Sequence, residues 1–221
     1  MKRTPMLVAF AMSLIMAHAA SAGTIVLFDG VRQTDAGIIH HQVHHTGLWS
    51  DSITWTDPNY GRATASQFTN ISAGFFGGSG FSEIQDVPGS ELWTSSGAAY
   101  GAFFEIDEPY LAQLNVELFE TTGSALTRTT LYYRPDITTV VWDVFGTPGT
   151  TLVSREGVLV PGRYHFTLDA RTNGSLSDHA AASFSGGLML TPIGGAEVPE
   201  PATMTLFGLG LAATVWRRRK R

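Results

Sequence analysis

Apolar and polar residues alternate with a period of two along much of this chain. Residues 110–118 and 164–170 show the pattern most clearly, with mostly Tyr, Phe, Leu, Val or Ala at every second position and mostly polar residues between them. This alternation predicts β-strands that turn one face to a core and the other to water. The candidate strands, bounded by Gly, Pro, Asn or Asp, are residues 24–28, 38–43, 101–106, 110–118, 126–133, 138–145, 164–170 and 184–190.

Short strands separated by turn residues favour an all-β fold. We expect an antiparallel β-sandwich, jelly-roll-like, that occupies residues 23–196 as one domain. Pro161 and Gly162 predict a tight turn, and with it a hairpin before Tyr164. Residues 72–101 contain seven Gly and show little periodicity. We therefore expect this Gly/Ser-rich segment to form irregular connections or a flexible flap.

The N-terminus has the three-part organisation of a secretory signal peptide. Two basic residues precede an apolar run at residues 6–16, and the small residues Ala20 and Ala22 occupy the positions that a signal peptidase reads. The alternative is a membrane anchor, but a spanning helix needs about 20 apolar residues and this run is much shorter. We expect residues 1–22 to be removed on export, which makes Gly23 the first residue of the mature protein.

Charge and cysteine content narrow the possible partners. Residues 23–198 contain seven Arg, no Lys and 18 acidic residues, so their net charge is −11. Because phosphate backbones are bound mostly through Lys and Arg, this acidity predicts no nucleic-acid partner. The chain has no Cys, which removes disulfides, thiolate nucleophiles and Cys-based zinc sites. Stability must come from apolar burial and backbone pairing.

Three features follow one another at the C-terminus. Pro199, Glu200 and Pro201 precede an apolar stretch at residues 202–216, and a basic cluster ends the chain. At 1.5 Å per residue this stretch gives a transmembrane helix of about 22 Å, short for a hydrocarbon core of about 30 Å. Basic residues stay on the cytoplasmic side of a membrane. The residues that would set this topology are Arg217, Arg218, Arg219, Lys220 and Arg221.

The order of these features resembles the PEP-CTERM sorting signal of Gram-negative bacteria. The resemblance covers residues 197–221 and implies that an exosortase processes the chain near Pro199, Glu200 and Pro201. It also implies transient residence in the inner membrane and delivery to the cell surface or an extracellular matrix. Residues 103–193 are similar to the β-rich body of many such proteins, but these bodies are diverse, so no molecular role follows. The alternative for the tail is a plain single-span anchor.

Four histidines at residues 40–45 are weak candidates for a metal site. On a helix, His40 and His44, or His41 and His45, would be close enough to share one ion. On a strand, the two imidazoles of one face would lie about 13 Å apart, too far for a single ion. Without Cys or a supporting Glu, we predict no metal and no cofactor here.

No motif for nucleophilic or metal-dependent catalysis stands out, and we predict that the protein is not an enzyme. Carboxylates that could serve a glycosidase occur at Glu105, Asp107 and Glu108, and near two tryptophans at Asp51 and Asp57. Acidic residues are common in this segment, so solvated loops are the favoured explanation for both clusters.

Three tryptophans suggest a sugar-binding role instead. Trp49, Trp55 and Trp93 could stack on polysaccharide rings, although packing in the sandwich core is the favoured explanation. The sequence therefore predicts an exported surface or matrix protein with a structural or adhesive role linked to exopolysaccharide or biofilm. The alternatives are a secreted carbohydrate-binding module and, less favoured, a secreted hydrolase.

Overall fold

The computed structural model describes residues 23–86, 94–121, 124–134, 139–173 and 179–193. These residues form twelve β-strands, and every pairing between them is antiparallel. The segment from Thr24 to Ile193 is one compact unit. The strands are β1 (Ile25–Ala36), β2 (Ile39–His44), β3 (Gly47–Asp57), β4 (Gly61–Ser72), β5 (Phe75–Gln85), β6 (Ser95–Ile106), β7 (Tyr110–Glu120), β8 (Ala125–Tyr133), β9 (Thr139–Phe145), β10 (Gly149–Leu159), β11 (Gly162–Asn173) and β12 (His179–Pro192).

The strands form two six-stranded sheets. Sheet A has the order β2-β1-β6-β11-β8-β9, and sheet B has the order β10-β7-β12-β5-β4-β3. From β5 to β8, and again from β9 to β12, the chain changes sheet at every step, so that neighbouring strands are often distant in sequence. Such connections are of the jelly-roll type, in which two sheets pack face to face. The predicted all-β, jelly-roll-like sandwich is confirmed.

The core lies between the inward faces of the two sheets. The predicted apolar faces of residues 110–118 and 164–170 are buried, on β7 of sheet B and β11 of sheet A. Aromatic rings fill the centre, where the Phe104 ring lies 4.6 Å from the Phe76 ring of sheet B and 5.5 Å from the Tyr164 ring. Burying a side chain of this size contributes about 1.5–3 kcal/mol. The inward faces therefore hold the fold together.

The prediction of irregular structure at residues 72–101 is wrong. The described part of this segment contains β5 and the first half of β6, and β5 pairs with both β4 and β12. A Cβ on Gly80 would lie 2.4 Å from the Phe184 ring, and one on Gly77 would lie 2.5 Å from the Gly186 carbonyl oxygen. Glycine allows these close approaches. Because glycines stand where larger residues would mark the alternation, the period of two is hidden.

The turn at Pro161 and Gly162 is present, but it does not form a hairpin. Strand β10 pairs with β7 in sheet B, whereas β11 pairs with β6 and β8 in sheet A. The turn therefore carries the chain from one sheet to the other. The Tyr164 hydroxyl donates a hydrogen bond to the Val160 carbonyl at 2.7 Å, which fixes this corner. Turn residues indicate a reversal of direction but not the partner of the next strand.

A buried arginine links β1 to the segment of chain that connects sheet A to sheet B. Arg32 is fully buried, and its Nε donates a hydrogen bond to Thr69 Oγ1 on β4 at 2.8 Å. Its terminal nitrogens donate to the carbonyls of His45 and Gly47, in the segment that leads from β2 to β3. Neutral acceptors thus satisfy this guanidinium, and the connection between two edge strands is held from inside the sandwich.

Candidate functional site

The outer face of sheet A contains an open groove of about 390 Å³. Its floor is β6, where the outward residues Ala99 and Gly101 are small. Strand β6 lies between β1 and β11, and side chains from these strands and from β8 rise around the floor. The sequence forms this groove because one strand with small outward residues lies between strands with large ones.

Three ring side chains form one end of the groove. Phe103, His165 and Tyr132 lie directly opposite one another on β6, β11 and β8. The rings of Phe103 and His165 are nearly parallel, with centroids 3.9 Å apart, and those of His165 and Tyr132 are 6.4 Å apart. A Cβ on Gly101 would lie 2.8 Å from His165 Nε2, so the glycine makes room for the imidazole. The result is an aromatic row across three strands.

The imidazole in this row is uncharged over the physiological pH range. Burial is the main cause that lowers the pKa of His165, to about 4, and the positive charge of Arg134 acts in the same direction. A neutral imidazole is a planar ring that can accept or donate a hydrogen bond. His165 therefore extends the apolar aromatic surface without adding charge to it.

Planar charged groups form the other end of the groove. Arg128 makes two hydrogen bonds to Asp143, both of 2.8 Å, and a third of 3.1 Å to the Tyr132 hydroxyl. Asp169 is ion-paired with Arg171 at 2.8 Å. Burial raises the pKa of Asp169, while the hydrogen bond and charge of Arg171 oppose this effect. A few oriented polar groups beside aromatic surface are typical of ligand sites.

A second cleft, of about 290 Å³, adjoins the groove. Phe103 lines both spaces, so the two share a wall. In the cleft, the Arg134 guanidinium lies over the Phe103 ring at 4.7 Å and that of Arg163 lies over the Phe28 ring at 5.1 Å. Arg163 is also ion-paired with Glu105 at 3.0 Å. The outer face of sheet A thus combines stacked rings with guanidinium groups.

The histidine cluster lies on and just after β2, so the strand geometry applies to it. His40 pairs with Asp35, and the Nδ1 of His44 lies 2.8 Å from Asp29 Oδ2. In the part of the chain that the structure describes, no three His, Asp or Glu side chains are grouped so that they could hold a metal ion. His40 and His44 thus form His–Asp pairs along the edge of sheet A.

The remaining two histidines face other partners. The Nδ1 of His41 lies 2.9 Å from Asp51 Oδ2, and the Nδ1 of His45 lies 3.4 Å from Arg32 Nη1. Burial alone would raise the pKa of Asp51, but hydrogen bonds from Thr34 and His41 lower it below its usual value. Asp51 is thus a fully ionised, hydrogen-bonded carboxylate at neutral pH.

Two of the three candidate tryptophans lie on the inward-pointing positions of edge strand β3. Trp49 is half-buried, with its ring 5.9 Å from the Arg32 guanidinium. Trp55 is also half-buried, lies against Gly37, and has its ring 5.8 Å from that of Tyr60. Trp93 lies outside the described residues. Sugar contact by these tryptophans stays a prediction, and the groove presents a different aromatic surface.

The groove residues themselves were not among the predicted site residues. Tyr132 and His165 belong to predicted strands, and His165 lies on the polar side of its alternation. A ring on the polar side of a strand is the signal that could have identified them. That β6, β11 and β8 are neighbours cannot be read from the sequence, since they are far apart along the chain.

A family model for the PEP-CTERM protein-sorting motif matches residues 197–220. This chain carries that sorting motif. The PEP-CTERM motif marks an exported protein that is sorted to the surface through an exosortase, as the resemblance in the sequence implied. It lies outside the described residues, as do the predicted signal peptide and membrane span. Among the described residues, no helix is long and apolar enough to cross a membrane.

Comparisons with other known proteins do not extend this assignment. No curated protein is significantly similar to the chain in sequence. A structure of infectious bursal disease virus Gt strain is 12% identical, with a TM-score of 0.29, and the match covers 80% of this chain and 58% of that one. YcfD, a ribosomal oxygenase from Escherichia coli in complex with cobalt and succinic acid, is 12% identical, with a TM-score of 0.23 and coverage of 95% and 56%. The chain spans less than two thirds of either, and likeness at these TM-scores supports no conclusion.

Proposed function

We propose that this exosortase-sorted protein has a structural or adhesive role in the exopolysaccharide matrix of a Gram-negative bacterium. In this proposal the β-sandwich binds polysaccharide through the groove and the adjoining cleft on the outer face of sheet A. The PEP-CTERM motif supports the delivery of the domain to the surface. The aromatic row of Phe103, His165 and Tyr132 is the observation that supports polysaccharide as the ligand.

Sugar rings have apolar C–H faces and polar hydroxyl edges, so their sites need apolar aromatic surface and planar polar groups side by side. In the groove, the outward edges of the stacked Phe103 and His165 rings supply the apolar surface. Arg128, at the other end of the groove, and its ion-pair partner Asp143 can exchange hydrogen bonds with hydroxyl groups. The groove is open along the sheet face, which suits a polymer better than a small enclosed ligand. Both requirements are met on one surface.

We further propose that the domain acts by binding rather than by catalysis. A glycosidase needs two carboxyl groups that flank the scissile bond, one of them able to give a proton. Asp169 and Asp143 near the groove are each ion-paired with an arginine, and Asp29 of the adjoining cleft and Asp35 of β1 are paired with histidines. Carboxylates held in such pairs fix geometry and charge, which supports a recognition surface.

Co-sedimentation with the exopolysaccharide of the producing organism tests the proposal. We expect the exported protein to sediment with the polymer, and the double variant Phe103→Ala/His165→Ala to remain largely in solution. The matched control is Phe68→Ala/Phe75→Ala, which removes two exposed rings from the outer face of sheet B. Equal retention of both double variants, or no retention of the wild type, would contradict polysaccharide binding at this face.

A further inference from the structure

The arginines of the mature segment are unevenly distributed. Residues 23–198 contain seven Arg and no Lys, against 18 acidic residues. One of the seven, Arg32, is buried in the core. Four of the other six lie on the outer face of sheet A, on β11 and on or directly after β8, around the groove and the cleft. These four are Arg128, Arg134, Arg163 and Arg171. The cationic side chains of an acidic domain are thus concentrated at the proposed site.

Three of these four arginines are neutralised by carboxylates of the same face. Arg128 pairs with Asp143 at 2.8 Å, Arg163 with Glu105 at 3.0 Å and Arg171 with Asp169 at 2.8 Å. Arg134 differs from them, because no carboxylate of the described residues lies within 4 Å of its guanidinium. The exposed Arg134 side chain rests on the Phe103 ring at 4.7 Å instead.

Among the described residues, the surroundings of Arg134 leave its charge available to a ligand. Asp29 also lines the cleft, but its carboxylate is 2.8 Å from the Nδ1 of His44. The Phe103 ring below the guanidinium is the same ring that begins the aromatic row. A ligand that packed against this row would therefore place its next substituent beside a cation that has no carboxylate partner among the described residues. Burial and the nearby Arg134 keep His165 neutral, so the row itself adds no charge.

We propose that the bound polysaccharide is acidic and that Arg134 binds a carboxylate of a uronic-acid-type residue, while an adjacent sugar ring packs against the outward edges of the Phe103 and His165 rings. The inference rests on the proposed polysaccharide binding. A guanidinium presents paired N–H groups that match the two oxygens of a carboxylate. Stacking on Phe103 holds the guanidinium in a fixed plane, so little side-chain entropy is lost when the carboxylate binds. Arg134 is thus the residue that distinguishes an acidic polymer from a neutral one.

Carboxyl reduction of the polymer tests this assignment. The exopolysaccharide of the producing organism is prepared in its native form and in a form whose carboxyl groups have been reduced to alcohols. We expect the wild-type protein to bind the native polymer at least about tenfold more tightly than the reduced one, because a charged hydrogen bond contributes about 1.5–3 kcal/mol. Arg134→Gln should abolish this preference, and Arg134→Lys should restore part of it.

The matched control is Arg62→Gln. Arg62 is exposed on the outer face of sheet B, and no carboxylate of the described residues lies within 4 Å of it. This variant removes the same charge from the opposite face and should bind like the wild type. Equal losses in Arg62→Gln and Arg134→Gln would show general charge attraction and overturn the proposal.

The two proposals fail in different ways. If the wild type binds the native and the reduced polymer equally, Arg134 does not select carboxylates, but polysaccharide binding stands. If the wild type binds neither form, polysaccharide binding itself fails and the inference fails with it. A sulfate ester survives carboxyl reduction, so a sulfated ligand would also appear as equal binding and would overturn the carboxylate assignment.

Discussion

The outer faces of the two sheets differ far more than their inner faces do. On sheet A, rings and guanidinium groups stand around a floor of small residues and stack on one another. On sheet B, Ser79 lies opposite Ser185, Gly77 lies opposite Gly187, and single side chains such as Phe68 project without a stacking partner in the described part. Both sheets have six strands and apolar inner faces. The outward residues alone distinguish a face of stacked rings and guanidinium groups from a face of isolated side chains.

Filling the floor of the groove should lower the affinity for exopolysaccharide more than any other single change on this face. A Cβ at position 101 would lie 2.8 Å from His165 Nε2, so Gly101→Val must displace the imidazole from its stack on Phe103. We expect affinity for exopolysaccharide to fall about 100-fold, or about 2.8 kcal/mol, because the added side chain fills the floor and the imidazole leaves the aromatic row. Isothermal titration or quantitative co-sedimentation measures the loss.

The same change on the other face provides the control. Ser79→Val adds a β-branched side chain to the exposed middle of sheet B. Its affinity should match that of the wild type. If Gly101→Val bound as tightly as Ser79→Val, the floor of β6 would not be part of the binding surface.

Removing one ring of the aromatic row should have an intermediate effect. Tyr132→Ala deletes the ring beside His165 and the hydroxyl that accepts a hydrogen bond from Arg128. We expect affinity to fall about tenfold, because an aromatic contact contributes about 0.5–1.5 kcal/mol beyond area burial. Tyr132→Phe should lose less affinity, since it keeps the ring, and Phe68→Ala on sheet B should bind like the wild type. A larger loss of affinity in Phe68→Ala than in Tyr132→Ala would mean that sheet B, and not sheet A, provides the binding surface.

The smallest effect concerns stability as a function of pH. Burial, aided by Arg134, lowers the pKa of His165 to about 4, whereas an unfolded histidine titrates near 6.5. Between these values the unfolded state binds more protons, so this contribution is complete above about pH 6.5 and declines as the pH falls towards 4. In His165→Phe the decline is absent.

Urea unfolding at several pH values between 4.5 and 7.5 measures this contribution. The free energy of unfolding of the wild type, relative to His165→Phe, should decrease by about 1 kcal/mol from pH 7.5 to 4.5, allowing for the partial exposure of the ring. Parallel pH profiles for the two proteins would mean that the imidazole is no more protected in the groove than in the unfolded chain.

Strands with large apolar residues could be predicted from the sequence, and strands with small ones could not. Residues 110–118 show the period of two because Leu114, Val116 and Leu118 fill the core side of β7. On β4 the inward positions include Ala63, Ala65, Gln67 and Thr69, which carry no comparable apolar signal. Strand β4 was missed for this reason. Strands β3, β5 and β10 were not predicted either, nor was the pairing of β10 with β7.

The candidate site was less predictable than the fold, for a different physical reason. Its rings come from three strands whose adjacency depends on the crossing of the chain between sheets. Of the three predicted tryptophans, the two that the structure describes, Trp49 and Trp55, lie on inward-pointing positions of β3. Composition shows that arginine is scarce in residues 23–198, but only the fold shows that four of the seven share one surface.

The buried Arg32 has a consequence for how the domain avoids association with neighbouring copies. Strand β2 ends one side of sheet A and β3 ends one side of sheet B, and each therefore presents unpaired backbone groups to other chains. The single guanidinium that holds the His45 and Gly47 carbonyls secures the segment between them. We expect both edges to open together as one unit rather than separately. One buried side chain thus protects both edge strands, β2 and β3, from edge-to-edge association with neighbouring copies.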